Sequence, residues 1–163
     1  MNGKRYVIAF IILIILALYF GKKSEDRYVE KPETEPYLVT RVVDGDTFVI
    51  NVDNIEQKVR LIGVDAPESV APEDYLEEHG KNNTEEGSIV SEYVRGLIEG
   101  KKVYLEYDIA REDKYGRILA YVYLEDGRML QDILLENGYA KIATYQPNVK
   151  YVDHFIEVVD KNR

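Results

Sequence analysis

Three short β-prone segments joined by tight turns most constrain what this chain can fold into. Residues 37–43 and 47–52 are rich in β-branched and aromatic side chains, and the Asp-Gly-Asp sequence between them is typical of a hairpin turn. An Asp-Asn turn then leads into residues 56–64, where apolar and polar side chains alternate. The pattern predicts three antiparallel strands in a meander.

The second half of the chain predicts two further strands and three helices. Alternating apolar residues at 103–107 and 118–124 indicate the fourth and fifth strands. The expected helices run from Thr84 to Gly100, from Leu130 to Gly138, and over residues 150–160.

Residues 66–83 are rich in Pro, Gly, Asn and acidic side chains, which predicts a loop. We therefore expect an α+β protein, mainly β, in which five strands form a small, partly open barrel accompanied by about three helices. Among five-stranded barrels of this kind the OB-fold is the common one.

An apolar run of 15 residues, Tyr6 to Phe20, follows two basic residues near the N-terminus. A membrane-spanning helix usually needs ~20 apolar residues, whereas a secretory apolar region needs roughly 7–15. No small-residue cleavage motif follows, so we interpret residues 1–21 as a hydrophobic signal-anchor helix in preference to a cleaved signal peptide. We expect a polar linker at 22–36 and a folded domain at 37–163, membrane-anchored outside the cytoplasm, or secreted if the segment is cleaved.

Composition excludes several kinds of site. The chain has no Cys, which rules out disulfides, thiolate zinc sites and cysteine nucleophiles, and its two His residues lack metal-ligand spacing. Residues 1–36 carry six basic and five acidic side chains, so the net charge of −9 for the chain leaves −10 on residues 37–163. A nucleic-acid site in this domain must therefore be a local basic patch.

The side chains suited to chemistry lie in three places: the first hairpin turn, the end of the third strand, and the turn before the fifth strand. Asp46 and Asp65 supply hard oxygen ligands, which suit Ca²⁺ or Mg²⁺. Arg60 and Arg117 supply two guanidinium groups for a phosphate, and Glu68 remains as a general base for water. These are the parts needed to hydrolyse a phosphodiester, although each place taken singly is also compatible with an ordinary turn or strand end.

These segments resemble the motifs of the thermonuclease family, the staphylococcal-nuclease-like domains. The resemblance rests on Val-Asp-Gly-Asp-Thr at 43–47, Arg-Leu-Ile-Gly-Val-Asp-Ala-Pro-Glu at 60–68 and Asp-Lys-Tyr-Gly-Arg at 113–117, with weaker similarity from about 37 to 155. It implies an OB-fold barrel with three helices. It also implies Ca²⁺-dependent hydrolysis of DNA and RNA that leaves 3′-phosphates.

The resemblance further implies roles for individual residues, in four groups. The residues that match the family's catalytic groups are Arg60, Glu68 and Arg117. Those that match its calcium ligands are Asp46, Asp65 and the main-chain carbonyl of Ala66. Those that match its nucleotide-binding residues are Lys114, Tyr115 and Tyr145. The residue that matches an acid supporting the calcium ligands is Asp44.

Two other classes of function are open. A non-catalytic nucleic-acid- or protein-binding module on the same barrel is favoured by the acidic net charge, but such domains normally lack one of the catalytic Arg or Glu residues. A glycoside hydrolase would use paired carboxylates without the two Arg, and the chain has no Trp to stack on sugars. Nothing in the sequence indicates an oligomer, so we expect a monomer that contacts the membrane through its N-terminal apolar segment.

Overall fold

The computed structural model describes residues 30–69 and 84–163. The strands in these ranges are β1 (Tyr37–Asp44), β2 (Thr47–Val52), β3 (Ile55–Leu61), β4 (Gly63–Asp65), β5 (Lys102–Glu106), β6 (Ile118–Tyr123) and β7 (Lys141–Ala143). The helices are α1 (Glu85–Ile98), α2 (Leu130–Glu136) and α3 (Val152–Lys161). The predicted signal anchor at 1–21, most of the linker at 22–36 and most of the loop at 66–83 lie outside the described residues. Within the described ranges, no helix has the length and apolar character needed to cross a membrane.

Five of the strands close a barrel in the order β1-β2-β3-β6-β5. The first three form the predicted antiparallel meander, β3 pairs in parallel with β6, and β5 pairs antiparallel with both β6 and β1. The predicted α+β architecture of a five-stranded barrel with three helices is therefore confirmed. The barrel is closed, not partly open, because Tyr37 and Leu38 at the start of β1 pair with β5.

The third strand differs from the prediction. Residues 56–64 do not form one strand, because β3 ends at Leu61 and the backbone turns at Gly63, which has a φ of +81°. β4 leaves the barrel at this point and pairs with β7, a short strand that the sequence does not predict. A Cβ at Gly63 would lie 2.5 Å from the ring of Phe155, so glycine allows both the turn and the close approach of α3.

Helix α1 covers one side of the barrel beside β1. Its N-cap is Thr84, whose side chain accepts a hydrogen bond from the Gly87 N–H at 2.9 Å, and acidic residues occupy its first turn. Val90, Val94 and Ile98 recur every four residues and are buried, which packs one stripe of the helix into the core. This packing fixes the start of α1 next to the turn between β1 and β2.

Candidate active site

Arg60 lies between two of the predicted calcium ligands. Its terminal nitrogens form ion pairs with Asp46 and with Asp65, the latter at 2.7 Å from Nη2 to Oδ1. The pairing of β2 with β3 sets Thr47 opposite Arg60, which brings the neighbouring Asp46 within reach. The turn at Gly63 then brings Asp65 back toward the same guanidinium group.

Asp46 is almost fully buried, with 2% of its surface exposed. Its carboxylate accepts hydrogen bonds from the Ala66 N–H at 2.8 Å and from the Thr47 hydroxyl at 3.1 Å. Burial raises the pKa of Asp46, and the charges of Asp44 and Asp65 act in the same direction, whereas Arg60 and the Ala66 N–H oppose this shift. By formal charge, three carboxylates, those of Asp44, Asp46 and Asp65, surround the single guanidinium group of Arg60.

The oxygen atoms beside Arg60 suit a hard cation as ligands. Asp46 and Asp65 offer carboxylate oxygens beside the backbone of Ala66, the ligand chemistry that calcium prefers. Within residues 30–69 and 84–163, no three His, Cys, Asp or Glu side chains are grouped to hold a metal, so further ligands would come from main-chain oxygens or water. A bound cation would share both carboxylates with the Arg60 guanidinium group.

Asp44 joins the loop after β4 to α1 through hydrogen bonds. Its Oδ1 accepts hydrogen bonds from the Ser91 hydroxyl at 2.8 Å and the Ser69 hydroxyl at 3.0 Å. The turn that contains it packs tightly, because a Cβ at Gly45 would lie 2.7 Å from Val90. Asp44 is thus placed to hold the loop after β4 rather than to contact a ligand directly.

Glu68 is held by the first turn of α1. Its main-chain carbonyl accepts a hydrogen bond from the Thr84 N–H at 2.9 Å, and a Cβ at Gly87 would lie 2.2 Å from that carbonyl oxygen. With 7% of its surface exposed, Glu68 lines a cavity of about 230 Å³, hereafter the Glu68 cavity, together with Asp65 and Ala66.

The turn at 113–117 presents Arg117. The Asp113 carboxylate accepts hydrogen bonds from the main-chain N–H groups of Tyr115 and Arg117, both at 2.9 Å, and from Arg117 Nε at 2.6 Å. Burial by itself would raise the pKa of Asp113, but these hydrogen bonds and the Arg117 charge lower it below its usual value. Asp113 is the carboxylate that pairs with Arg117 in the described residues, and it does so through Nε rather than the two terminal nitrogens.

The two Arg residues meet because β3 and β6 are parallel neighbours. Val59 pairs with Ile118, so the C-terminal end of β3, which carries Arg60, lies beside the start of β6, which Arg117 immediately precedes. Both line a cavity of about 330 Å³, hereafter the arginine cavity, which is within the size range of small-molecule sites. Asp65 lines this cavity as well as the Glu68 cavity.

The predicted nucleotide-binding residues also line the arginine cavity. Lys114, Tyr115 and Tyr145 form part of its wall, and both Tyr rings are exposed. The amide of Asn148 makes two hydrogen bonds of 2.8 Å with the backbone of Ala110, which joins the turn after β7 to the segment before Asp113.

The structure thus divides the ten predicted site residues between neighbouring places. Those lining the arginine cavity are Arg60, Asp65, Lys114, Tyr115, Arg117 and Tyr145. Those lining the Glu68 cavity are Asp65, Ala66 and Glu68. Asp46 contacts Arg60 from the buried side, Asp44 lies behind the loop after β4, and Glu68 does not line the arginine cavity.

Sequence reasoning assigned no role to the residues that support these side chains, although one of them, Asp113, begins the third motif. Ser69 and Ser91 hold Asp44, Asp113 orients Arg117, and Asn148 holds the turn that contains Tyr145. Ser91 interrupts the apolar stripe of α1, and a polar residue at a buried helix position is a signal that could have found it. Asn148 has no comparable signal in the sequence.

Comparison with known proteins extends these observations. The family described as staphylococcal nuclease homologue matches residues 58–163. A thermonuclease of Staphylococcus intermedius is 38% identical over 148 residues, which cover 88% of this chain and 83% of the relative. A thermonuclease of Staphylococcus hyicus is 34% identical over 148 residues, covering 89% and 83%. Endonuclease YncB of Bacillus subtilis is 38% identical over 117 residues, covering 71% of this chain and 52% of the relative.

The barrel, the paired Arg residues and these matches together define a nuclease, an enzyme that hydrolyses phosphodiester bonds. The chain belongs to the family of staphylococcal nuclease homologues. The predicted family and the predicted enzyme class are both confirmed.

Proposed function

We propose that the chain is a calcium-dependent nuclease that hydrolyses the phosphodiester bonds of DNA and RNA and leaves 3′-phosphates. The observation that carries this proposal is the convergence of Arg60 and Arg117 on one cavity together with Asp65. Two guanidinium groups facing one space suit a phosphate, whose oxygens accept paired N–H donors.

The two Arg residues act on the scissile phosphate. Asp46 and Asp65 hold Arg60, and Asp113 holds Arg117 through Nε, so both guanidinium groups are oriented before substrate binds. Donors fixed in this way stabilise the negative charge that develops on the phosphoryl oxygens in the transition state.

Asp46, Asp65 and the main-chain carbonyl of Ala66 hold the calcium ion in this proposal. The surplus negative charge around buried Asp46 supports the assignment. These residues would hold the ion, and the chemistry it would supply there is Lewis-acid stabilisation of negative charge on the phosphate. Asp44 supports these ligands through its hydrogen bonds to Ser69 and Ser91.

Glu68 is the general base in this proposal. It accepts a proton from the attacking water, whose oxygen forms the new P–O bond while the bond from phosphorus to the 5′ oxygen breaks. The 5′ oxygen takes a proton from solvent and leaves as a hydroxyl group, and the phosphate stays on the 3′ oxygen. Its cavity shares Asp65 with the arginine cavity, so a water beside Glu68 lies next to a phosphate held by the Arg pair. Lys114 contacts substrate phosphate, while Tyr115 and Tyr145 stack on sugar or base.

We also propose that residues 1–21 anchor the protein in a membrane and that residues 37–163 form a monomeric domain outside the cytoplasm. The apolar run and its flanking Lys and Arg residues support the anchor. If the segment is cleaved, the domain is secreted.

The test measures cleavage of single-stranded DNA by the full chain in detergent, with Ca²⁺ or with a chelator, beside Glu68→Gln. We expect cleavage only with Ca²⁺, and a loss of about 10²–10⁴-fold in kcat for Glu68→Gln, because the proton acceptor is removed. Glu85→Gln is the matched control, because Glu85 is exposed at the start of α1 and lines neither cavity.

Three results would count against the proposal. Turnover retained by Glu68→Gln would show that Glu68 is not the base, and cleavage retained in chelator would remove the calcium requirement. DNA binding without any cleavage would favour the non-catalytic binding module.

A further inference from the structure

The Glu68 cavity contains a basic side chain to which the proposed mechanism gives no role. Lys141 lines this cavity at the first position of β7, and it is the only Lys or Arg among the described residues that do so. The same wall carries three acidic side chains, those of Asp65, Glu68 and Glu86. These three carboxylates would repel a negatively charged ligand in this cavity, whereas Lys141 would attract it.

Lys141 is adjacent to the junction of the two cavities. It pairs directly with Asp65 across the β4–β7 sheet. Directly paired residues in antiparallel strands have Cα atoms about 5 Å apart and side chains on the same face. Because Asp65 lines both cavities, the Lys141 side chain starts where the arginine cavity meets the Glu68 cavity.

The Lys141 ammonium group is available to a ligand. Lys141 is exposed, and within the part of the chain that the structure describes no carboxylate forms an ion pair with it. Its neighbour Asp65 pairs with Arg60 instead, at 2.7 Å. Other Lys residues of the described chain are engaged differently: Lys150, for example, forms an ion pair with Glu106.

We propose that Lys141 binds the backbone phosphate next to the scissile phosphate. The polynucleotide then passes from the arginine cavity across the β4–β7 sheet and along the Glu68 cavity. This inference rests on the proposed nuclease function and deepens it. Lys141 is a positioning residue in this role, and it acts only on substrates that extend beyond one phosphodiester bond.

The experiment compares two substrates of the full chain with Ca²⁺. One is a dinucleoside monophosphate, which has a single phosphodiester and no neighbouring phosphate, and the other is a single-stranded octanucleotide. We expect Lys141→Gln to lower the ratio of kcat/KM for the octanucleotide over the dinucleoside monophosphate by about two- to fivefold, the upper part of the range for one exposed ion pair. The slope of log(kcat/KM) against log salt for the octanucleotide should become shallower by about 0.7, the value for one phosphate contact on a single strand.

Two variants separate this role from a structural one. Lys141→Arg keeps the charge and should keep both the ratio and the salt slope. Lys102→Gln makes the same charge change at an exposed position of β5, opposite Leu38 at the far end of β1 from Asp44, and should alter neither.

An equal loss on both substrates, or an unchanged ratio and salt slope, would overturn the role of Lys141 while leaving the nuclease proposal intact. Failure of the unaltered chain to cleave either substrate would overturn the nuclease proposal itself, and this inference with it.

Discussion

At the scale of the residue, Asp113 determines how Arg117 is presented. Its carboxylate accepts hydrogen bonds from Nε of Arg117 and from two main-chain N–H groups of the same turn, and these contacts lower the pKa of Asp113 below its usual value. The guanidinium group retains two further nitrogens on the side away from Nε. Arg117 can therefore pair with Asp113 and bind a phosphate at the same time.

Arg117→Lys tests whether Arg117 pairs with Asp113 and binds a phosphate at the same time. A Lys side chain has one nitrogen, which cannot reproduce both the contact with Asp113 and paired donors to a phosphate. We expect kcat/KM to fall at least about 100-fold, to within about tenfold of Arg117→Ala, as measured by steady-state cleavage.

The matched control is Arg128→Lys. Arg128 makes a comparable local pair, from Nε to Asp126 at 2.9 Å, but it is exposed and lines neither cavity. Its substitution should change kcat/KM less than about twofold. Full activity of Arg117→Lys would contradict the proposed phosphate contact.

At the scale of the element, the start of α1 sets the position of Glu68. Gly87 lies against the Glu68 carbonyl with no room for a side chain, and Thr84 donates to the same oxygen. The helix itself is fixed by its buried stripe, so the location of the proposed base depends on how α1 packs on the barrel.

Gly87→Ala should therefore destabilise the protein by about 1–3 kcal/mol, because the new Cβ would meet backbone atoms that cannot move aside cheaply. It should also lower kcat by displacing Glu68. The measurements are urea unfolding and the cleavage rate of the same preparation.

Gly96→Ala supplies the control in the same helix. A Cβ at Gly96 has no neighbour within 4 Å, so the substitution should stabilise the protein by about 0.5–1 kcal/mol through helix propensity. Equal destabilisation by the two substitutions would show that contact with the Glu68 backbone is not what excludes a side chain at Gly87.

At the scale of the whole molecule, α3 and the barrel support the site jointly. Phe155 is 1% exposed and fills the space beside Gly63, where the backbone leaves the barrel to form β4. α3 also packs against α2 and β7. The packing of α3 thus supports the short sheet that carries Asp65 and Lys141.

Phe155→Ala should lower the free energy of unfolding by about 3–5 kcal/mol, because it removes a buried ring and leaves a cavity between α3 and the barrel. Ile156→Ala, one residue further along the same helix at a position that is 45% exposed, should cost less than about 1 kcal/mol. Both values come from denaturant unfolding of the full chain. Similar losses for the two variants would show that Phe155 does not anchor α3.

The sequence by itself determined the elements whose signals are local. The β-branched and aromatic residues at 47–52 predicted β2 closely, and the cap at Thr84 and the apolar stripe predicted α1, because these signals lie in neighbouring residues. The three motifs also identified the residue types for phosphodiester chemistry, and the family they indicated is confirmed.

Only the tertiary structure decided how those residues meet. The turn at Gly63 and the β4–β7 sheet have no periodic signal, so the predicted continuation of the third strand to residue 64 was wrong and β7 was missed. The parallel pairing of β3 with β6 brings Arg60 and Arg117 to one cavity. The packing of α1 on the barrel places Glu68 in the neighbouring Glu68 cavity. These relations join residues distant in sequence, and they follow from barrel closure and helix packing, which local patterns do not encode.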